Sequence, residues 1–446
     1  MVKVITYGSY DMLHYGHLRL LQRAKALGDY LIVGITSDDF DKKRGKINLQ
    51  QSLTERIEAV RATGLADQII IEEYEGQKID DIKRYGVDIF TVGSDWKGHF
   101  DYLNEYCEVI YLERTEGISS SELRASERKV RIGFIGSNES RVLNKYCAEC
   151  KYVNGAEVAC ICTTDSEVME CHGDVPIADD YPALLKMCDA VYILSHPKDH
   201  YAHIKAALEA HKHVLVELPI VIEKEQFHEL YTLAAENHVL LMPAMKTAYA
   251  TAYNRLLLLI KGGIIGKIVS VDACCTSLRD PESENRNYSD VWNSICAWGP
   301  TAMLPVFQIL GTVFKQSSIS SWMLDDENKY DAFTRIDFLF DSAVASVKVG
   351  RGVKSEGSLV VSGTKGYIYV PAPWWKTDYF EVRFENHDNN QRFFYQLIGE
   401  GIRYELVAFI KSIQNGGHDY YISDDVSEAI CGVISDFYHG NRNILT

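Results

Sequence analysis

Residues 8–17 read GSYDMLHYGH, and they place two histidines three apart where a strand gives way to a helix. Upstream, VKVITY has the short apolar run of a buried strand. Downstream, GHLRLLQRAKALG carries apolar residues at helical spacing, and DYLIVGIT is a second strand. The three segments form a β-α-β unit whose first turn is aimed at a ligand. Gly8 lets backbone approach that ligand closely, and a helix start favours phosphate through its free N–H groups and its dipole. His14 and His17 share one face of the first turn, where both can donate to the same oxyanion. The same pair could instead make local hydrogen bonds, or hold a metal if a third ligand were near.

The remaining composition narrows the alternatives. A chain of 446 residues suits two or three domains, and 46% hydrophobic with 24% charged residues is ordinary globular usage. The net charge of −16 argues against nucleic acid as a partner, because that function wants a basic face. The N-terminus runs straight into a strand without a basic leader, and the longest apolar run, LLLLI at 256–260, is far shorter than a membrane span. A cytoplasmic protein with no membrane partner is expected. Eleven cysteines then read as reduced thiols. Cys147 and Cys150 sit one helical turn apart, and Cys160 and Cys162 alternate along EVACIC, so both pairs read as core packing rather than zinc ligands. No metal-ligating residue is assigned.

Strand-like runs at VKVITY, DYLIVGIT, QIII, VDIFTVG and CEVIYL alternate with helical stretches, which predicts an α/β fold with a doubly wound parallel sheet over residues 1–128. VRIGFIG opens a second α/β pattern over 129–249, continued by EVACIC, AVYILS, HVLVEL and VLLMPA. From about residue 250 longer alternating segments such as FTRIDFLF and SAVASVKVGR predict a third region, 250–446, with a mostly antiparallel sheet.

The first segment matches the GTFDxxHxGH signature of nucleotidyltransferases. With KKRGK at 42–46, TERI around Arg56, GSDWKGHFDYL at 93–103 and RTEGISSS at 114–121, residues 1–124 resemble the bacterial glycerol-3-phosphate cytidylyltransferases. The resemblance implies attack of a phosphate monoester on the α-phosphorus of CTP, with pyrophosphate leaving and Mg2+ neutralising the phosphates. It assigns His14, His17, Lys46 and Arg114 to catalysis. Gly8, Ser9, Tyr10, Asp11, Gly16, Arg56, Asp95, Trp96, Thr115, Gly117, Ile118, Ser119, Ser120 and Ser121 would line the nucleotide, and Arg44 and Lys78 would hold the acceptor phosphate. Arg44 stands where the family has lysine, and a guanidinium grips phosphate bidentately where an ammonium acts as a point charge. The acceptor would be a small polyol phosphate, with CDP-glycerol the leading product, made for a cell-wall or capsular polymer by a homodimer.

Residues 129–446 resemble the Gfo/Idh/MocA oxidoreductases, a Rossmann-like domain followed by an α/β domain, on the strength of VRIGFIGSNESR, HPKDHYAHIKAALEAHKHVLVELP and GGIIGKIVSVDA. The chemistry matches less well than the fold. Gly133, Gly136, Asn138, Asp165 and Glu217 are the candidate NAD(P) positions, but Asn138 replaces the second fingerprint glycine and Arg141 the third small residue. Leu218 replaces the lysine of the family's EKP, and its later acid and histidine fall near Ala297 and Thr301. Lys246 and Tyr249 are the nearest substitutes. The expectation is a half that kept the fold and lost the reaction; the alternative is a working reductase that makes the polyol phosphate.

Overall fold

The computed structural model describes residues 1–43, 49, 51–74, 76–113, 129–136, 140–172, 174–278, 288, 291–395, 397, 399–416 and 421–445. The chain divides into two compact units, Met1–Arg128 and Lys129–Thr446.

In the first unit, β1 (Lys3–Gly8), α1 (Tyr15–Lys25), β2 (Tyr30–Thr36), α2 (Asp38–Lys43), α3 (Leu53–Ala62), β3 (Gln68–Glu72), α4 (Gln77–Tyr85), β4 (Ile89–Gly93) and β5 (Glu108–Leu112) follow in order. The strands form one parallel sheet, β3-β2-β1-β4-β5. Side chains alternate across each strand, and both faces are covered. Val4 with Leu31, Val33 and Ile35 packs toward Leu21 and Ala24 of α1 and Val60 of α3. Ile5 and Tyr7 with Ile32 pack toward Ile82 of α4 and Phe100. This double burial explains why the strands read as unbroken apolar runs. Tyr7 stands in register opposite Gly34, where a Cβ would fall 2.2 Å from Tyr7 Cδ1, so β2 needs a glycine to admit the ring.

The chain leaves β1 toward β2 on one side, while β4 lies on the other. The loops after β1 and β4 therefore diverge and open a crevice at the carboxyl ends of these strands. The candidate segments GSYDMLHYGH and GSDW are those two loops.

In the second unit, β6 (Val130–Gly136), β7 (Ala156–Cys162), β8 (Ala190–Leu194), β9 (His213–Glu217) and β10 (Leu241–Ala244) make a second parallel sheet, β10-β9-β8-β6-β7. A nine-stranded, mostly antiparallel sheet follows, in which β11 (Ile268–Thr276) pairs parallel with β14 (Val344–Gly350) and antiparallel with β15 (Leu359–Gly363). The buried helix Ser294–Leu310 packs on β11, β14 and β13 (Tyr330–Leu339). Cys147, Cys150 and Cys160 are buried. Among the described residues no helix is long and apolar enough to cross a membrane.

Candidate functional site

The loop after β1 is an unusual piece of backbone. Tyr10 (φ 52°) and Met12 (φ 49°) both adopt the left-handed region, which is costly without glycine. Two hydrogen bonds to one residue hold it: Asp11 Oδ1 accepts from Gln51 N at 2.9 Å, and Met12 N donates to Gln51 Oε1 at 2.8 Å. Burial of the Tyr10 ring in the sheet's core anchors the same turn. Arg56 adds a third tie from α3. Its fully buried guanidinium donates to the Ser9 carbonyl at 2.7 Å, bridges to the buried Asp41 carboxylate at 3.4 Å and pairs with Asp38. Expected from sequence as a pocket residue, Arg56 has its charge engaged inside the protein and bears on the crevice through the Ser9 carbonyl.

His14 is the N-cap of α1 and His17 its third residue, and the two close a capping box. His14 Nδ1 accepts from Gly16 N at 3.1 Å, and His17 Nδ1 accepts from His14 N over a longer 3.4 Å. A neutral ring whose Nδ1 accepts carries its proton on Nε2. The rings stack at 3.8 Å with 20° between planes. The local hydrogen bonds of a helix start are thus present, and they engage Nδ1 of each ring.

Around the loop after β4, Trp96 lies against His99 (5.4 Å) and Phe100 (5.8 Å), and Asp95 is exposed. Lys78, on α4, is 8% exposed. Its ammonium pairs with the buried Glu72 and sits 4.6 Å from the Tyr7 ring centre and 5.5 Å from that of Phe100. Tyr7 Oη donates to Asp81 at 2.8 Å, and burial together with that carboxylate pushes its pKa up. Gly8, Ser9 and Gly16 belong to the loop and the first turn of α1. Arg44, Lys46, Arg114, Thr115, Gly117, Ile118, Ser119, Ser120 and Ser121 lie outside the described residues, as does Asn138 of the second unit. Among the described residues there is no group of three or more histidine, cysteine or acidic side chains able to cage a metal.

The second unit has its own cavity, of about 480 Å³, lined by Glu217, Leu218, Lys246, Ala297 and Thr301 among others. Topology brings together the positions where the family places its acid, base and lysine, and of the two nominated substitutes only Lys246 is in the lining. Tyr249 is buried and packs against Tyr421. The tyrosine that does line the cavity is Tyr146, which sequence reasoning missed; it stands alone in a helix otherwise read for its cysteines. Tyr146 Oη donates to Glu217, and Lys246 Nζ reaches Tyr146 Oη at 3.4 Å. Glu405 accepts from Tyr192 at 2.6 Å, and the Tyr192 ring meets Tyr146 edge-on at 5.2 Å. Burial raises the Glu217 pKa against the pull of Lys246, and burial with the nearby Glu217 charge pushes Glu405 up to about 8. Asp165 caps the helix Ser166–Cys171, accepting from Glu167 N at 2.9 Å.

Comparison with known proteins bears on both units. Residues 5–126 match the cytidylyltransferase-like family, and residues 130–245 match the oxidoreductase family with an NAD-binding Rossmann fold. Over 124 residues, 28% of this chain, it is 49% identical to the glycerol-3-phosphate cytidylyltransferase of Bacillus spizizenii and covers 95% of that protein. The Staphylococcus aureus enzyme of the same name is 46% identical with 93% covered. In fold, 71% of the chain superposes on 99% of a 3-ketoreductase from Actinomadura kijaniata, solved with NADP and TDP-benzene, at 20% identity and a TM-score of 0.63. A UDP-N-acetylglucosamine 3-dehydrogenase from Acidithiobacillus ferrooxidans aligns over 70% of this chain and 98% of its own at 14% identity and 0.58.

Proposed function

The chain belongs through its first unit to the cytidylyltransferase-like family, and from that premise we propose that this unit joins CTP to a small polyol phosphate, glycerol 3-phosphate first among them, giving a CDP-alcohol and pyrophosphate. The observation that carries the reading is the stacked pair His14 and His17 at the start of α1, each ring held by a backbone N–H at its Nδ1. An oxygen of the acceptor's phosphate attacks the α-phosphorus, the bond from that phosphorus to the bridging oxygen breaks, and pyrophosphate departs. The attacking oxygen is already anionic at neutral pH, so the reaction asks for alignment and for donors to the charge on the transferring group. Two parallel imidazole donors on a clamped loop, beside a helix N-terminus, meet that need.

Lys46 and Arg114 join the histidines, and Arg44 the acceptor phosphate, by family resemblance. Lys78, wedged between Glu72 and two aromatic faces, supports the acceptor assignment as a cation held in a fixed place. Mg2+, bound through the phosphates, supplies charge neutralisation; no step is drawn through it. A homodimer in the cytoplasm completes the reading.

For the second unit, Leu218, Ala297 and Thr301 around the cavity, none of them a lysine, an acid or a histidine, favour a module that kept the fold and dropped the family's reaction. Its relatives in fold were solved with NADP or NADH. Here the described part of the fingerprint is taken up by packing: a Cβ on Gly136 would lie 3.0 Å from Leu143, and on Gly133 2.7 Å from Leu184. The turn that follows Gly136, residues 137–139, lies outside the described residues, and no step runs through a dinucleotide. The test of the proposal is pyrophosphate release from CTP, which should require the polyol phosphate and fall sharply in His17→Ala. Turnover unchanged in that variant would sink it.

A further inference from the structure

The loop after β1 must hold one shape for the histidine pair to stand where it does. Tyr10 (φ 52°) and Met12 (φ 49°) leave the ordinary backbone regions close together, and neither is a glycine. Such conformations persist only where the surroundings over-determine them, and they gather at working sites. His14, the N-cap of α1, follows Met12 at once after Leu13. The direction in which the chain leaves Met12 is therefore the direction in which α1 and both rings are aimed.

The start of α3 supplies the constraint. Its N-cap Ser52 forms a capping box with Glu55: Ser52 N donates to Glu55 Oε2 at 2.7 Å, and Glu55 N donates to Ser52 Oγ at 3.4 Å. That fixed helix end presents two side chains to the loop. Arg56 donates to the Ser9 carbonyl at 2.7 Å. Gln51, the residue before the N-cap, accepts from Met12 N at 2.8 Å through its side-chain oxygen, and its own N donates to Asp11 Oδ1 at 2.9 Å. The loop is thus gripped at Ser9, Asp11 and Met12 in turn. The two bonds of Gln51 differ in kind: the one to Asp11 uses backbone and survives a change of side chain, whereas the one to Met12 is lost with the amide oxygen. In sequence Gln51 lies between KKRGK and TERI, outside the segments that carry the family resemblance.

We propose that Gln51 is a positioning residue for the histidine pair: its amide oxygen, by fixing the Met12 N–H in the left-handed turn, sets the angle at which α1 begins and so places the rings of His14 and His17. It acts through the backbone of the loop and not on the reactants. Its effect on rate rests on the transfer reading of this unit, in which a misplacement of about 1 Å costs on the order of 100-fold. Its effect on the rings does not rest on that reading.

The test compares two variants of the full chain. Gln51→Met keeps the length of the side chain and loses the acceptor; Gln51→Glu puts an acceptor back at the same reach. Pyrophosphate release from CTP and glycerol 3-phosphate is measured well below each variant's melting temperature, and the imidazole nitrogens of His14 and His17 are followed by NMR in histidine-labelled protein. In Gln51→Met, kcat should fall about tenfold or more while KM for CTP changes less, and both sets of imidazole signals should move. In Gln51→Glu, kcat and the imidazole signals should return toward those of the parent, with the added charge showing in KM. Gln51→Ala serves if Gln51→Met does not fold. A hydrogen bond that merely stabilises the fold would lower the melting temperature and leave kcat alone, and that result would overturn the proposal. So would a loss of kcat that glutamate does not reverse, or imidazole signals that stay where they were. A parent protein that releases no pyrophosphate would sink the transfer reading instead, and the imidazole signals of the two variants would then decide the role of Gln51 by themselves.

Discussion

Replacing His14 by asparagine separates two jobs that one side chain performs. As N-cap of α1 it accepts the Gly16 N–H through Nδ1, and its ring also offers the Nε2–H that the proposed transfer needs. Asparagine is among the strongest N-caps, whereas alanine in that place costs about 1 kcal/mol. His14→Asn should therefore melt within roughly 0.5 kcal/mol of the parent, while His14→Ala should lose the cap. Both lose the donor. Removing one preorganised donor to a developing oxyanion costs about 10²–10³ in kcat, roughly 2.7–4 kcal/mol. The assay is pyrophosphate release from CTP and glycerol 3-phosphate by the full chain, read beside a thermal melt of each variant. A His14→Asn protein that turns over within threefold of the parent would refute the donor role. One as destabilised as His14→Ala would refute the separation.

Other expectations follow from packing and charge. Arg56→Met takes the ion-pair partner from the buried Asp41, which keeps the Thr36 hydroxyl, and breaking a buried pair costs about 3–5 kcal/mol, so the first unit's unfolding midpoint in urea should drop well below that of the parent. Gly34→Ala sets a methyl against the Tyr7 ring; a loss of about 1–3 kcal/mol is expected, relieved when Tyr7→Leu is added, and a neutral single variant would contradict the register. Glu405 is protonated in the fold up to about pH 8 and in the unfolded chain only below its ordinary, lower value. Its contribution is thus full in acid and is lost as pH rises through about 8. Glu405→Gln should flatten the decline of the second unit's melting temperature across that window, and an unchanged slope would count against the burial argument.

Sequence patterning was enough for the architecture because both units bury whole strands. Runs such as DYLIVGIT and VRIGFIG have no other use for so much apolar surface, and the switch to alternation after residue 250 marks the change to a mostly antiparallel sheet. The histidine spacing likewise announced a helix start. Roles that depend on partners far apart in the chain were not legible. Arg56 reads as a free cation until Asp38, Asp41 and the Ser9 carbonyl, 15 to 47 residues away, are seen around it. Tyr146 carried no local signal, since its meaning comes from Glu217, 71 residues on, and Lys246, 100 residues on. Tyr249, closer to Lys246 in sequence, is buried in the core instead, because a spacing of three says nothing of which side of a short helix faces a cavity.

The capped, stacked imidazoles also decide what the first crevice refuses. Zinc and nickel bind an imidazole through a bare nitrogen lone pair. In both rings the Nδ1 lone pair is spent on a backbone N–H, which in a neutral ring places the hydrogen on Nε2. Capture of a transition metal would require each ring to move its proton inward and break its own cap, at about 1 kcal/mol apiece. Two histidines in van der Waals contact would in most settings be a chelation hazard in a cell that trades in zinc. Here the helix start charges metal capture with the loss of a cap at each ring.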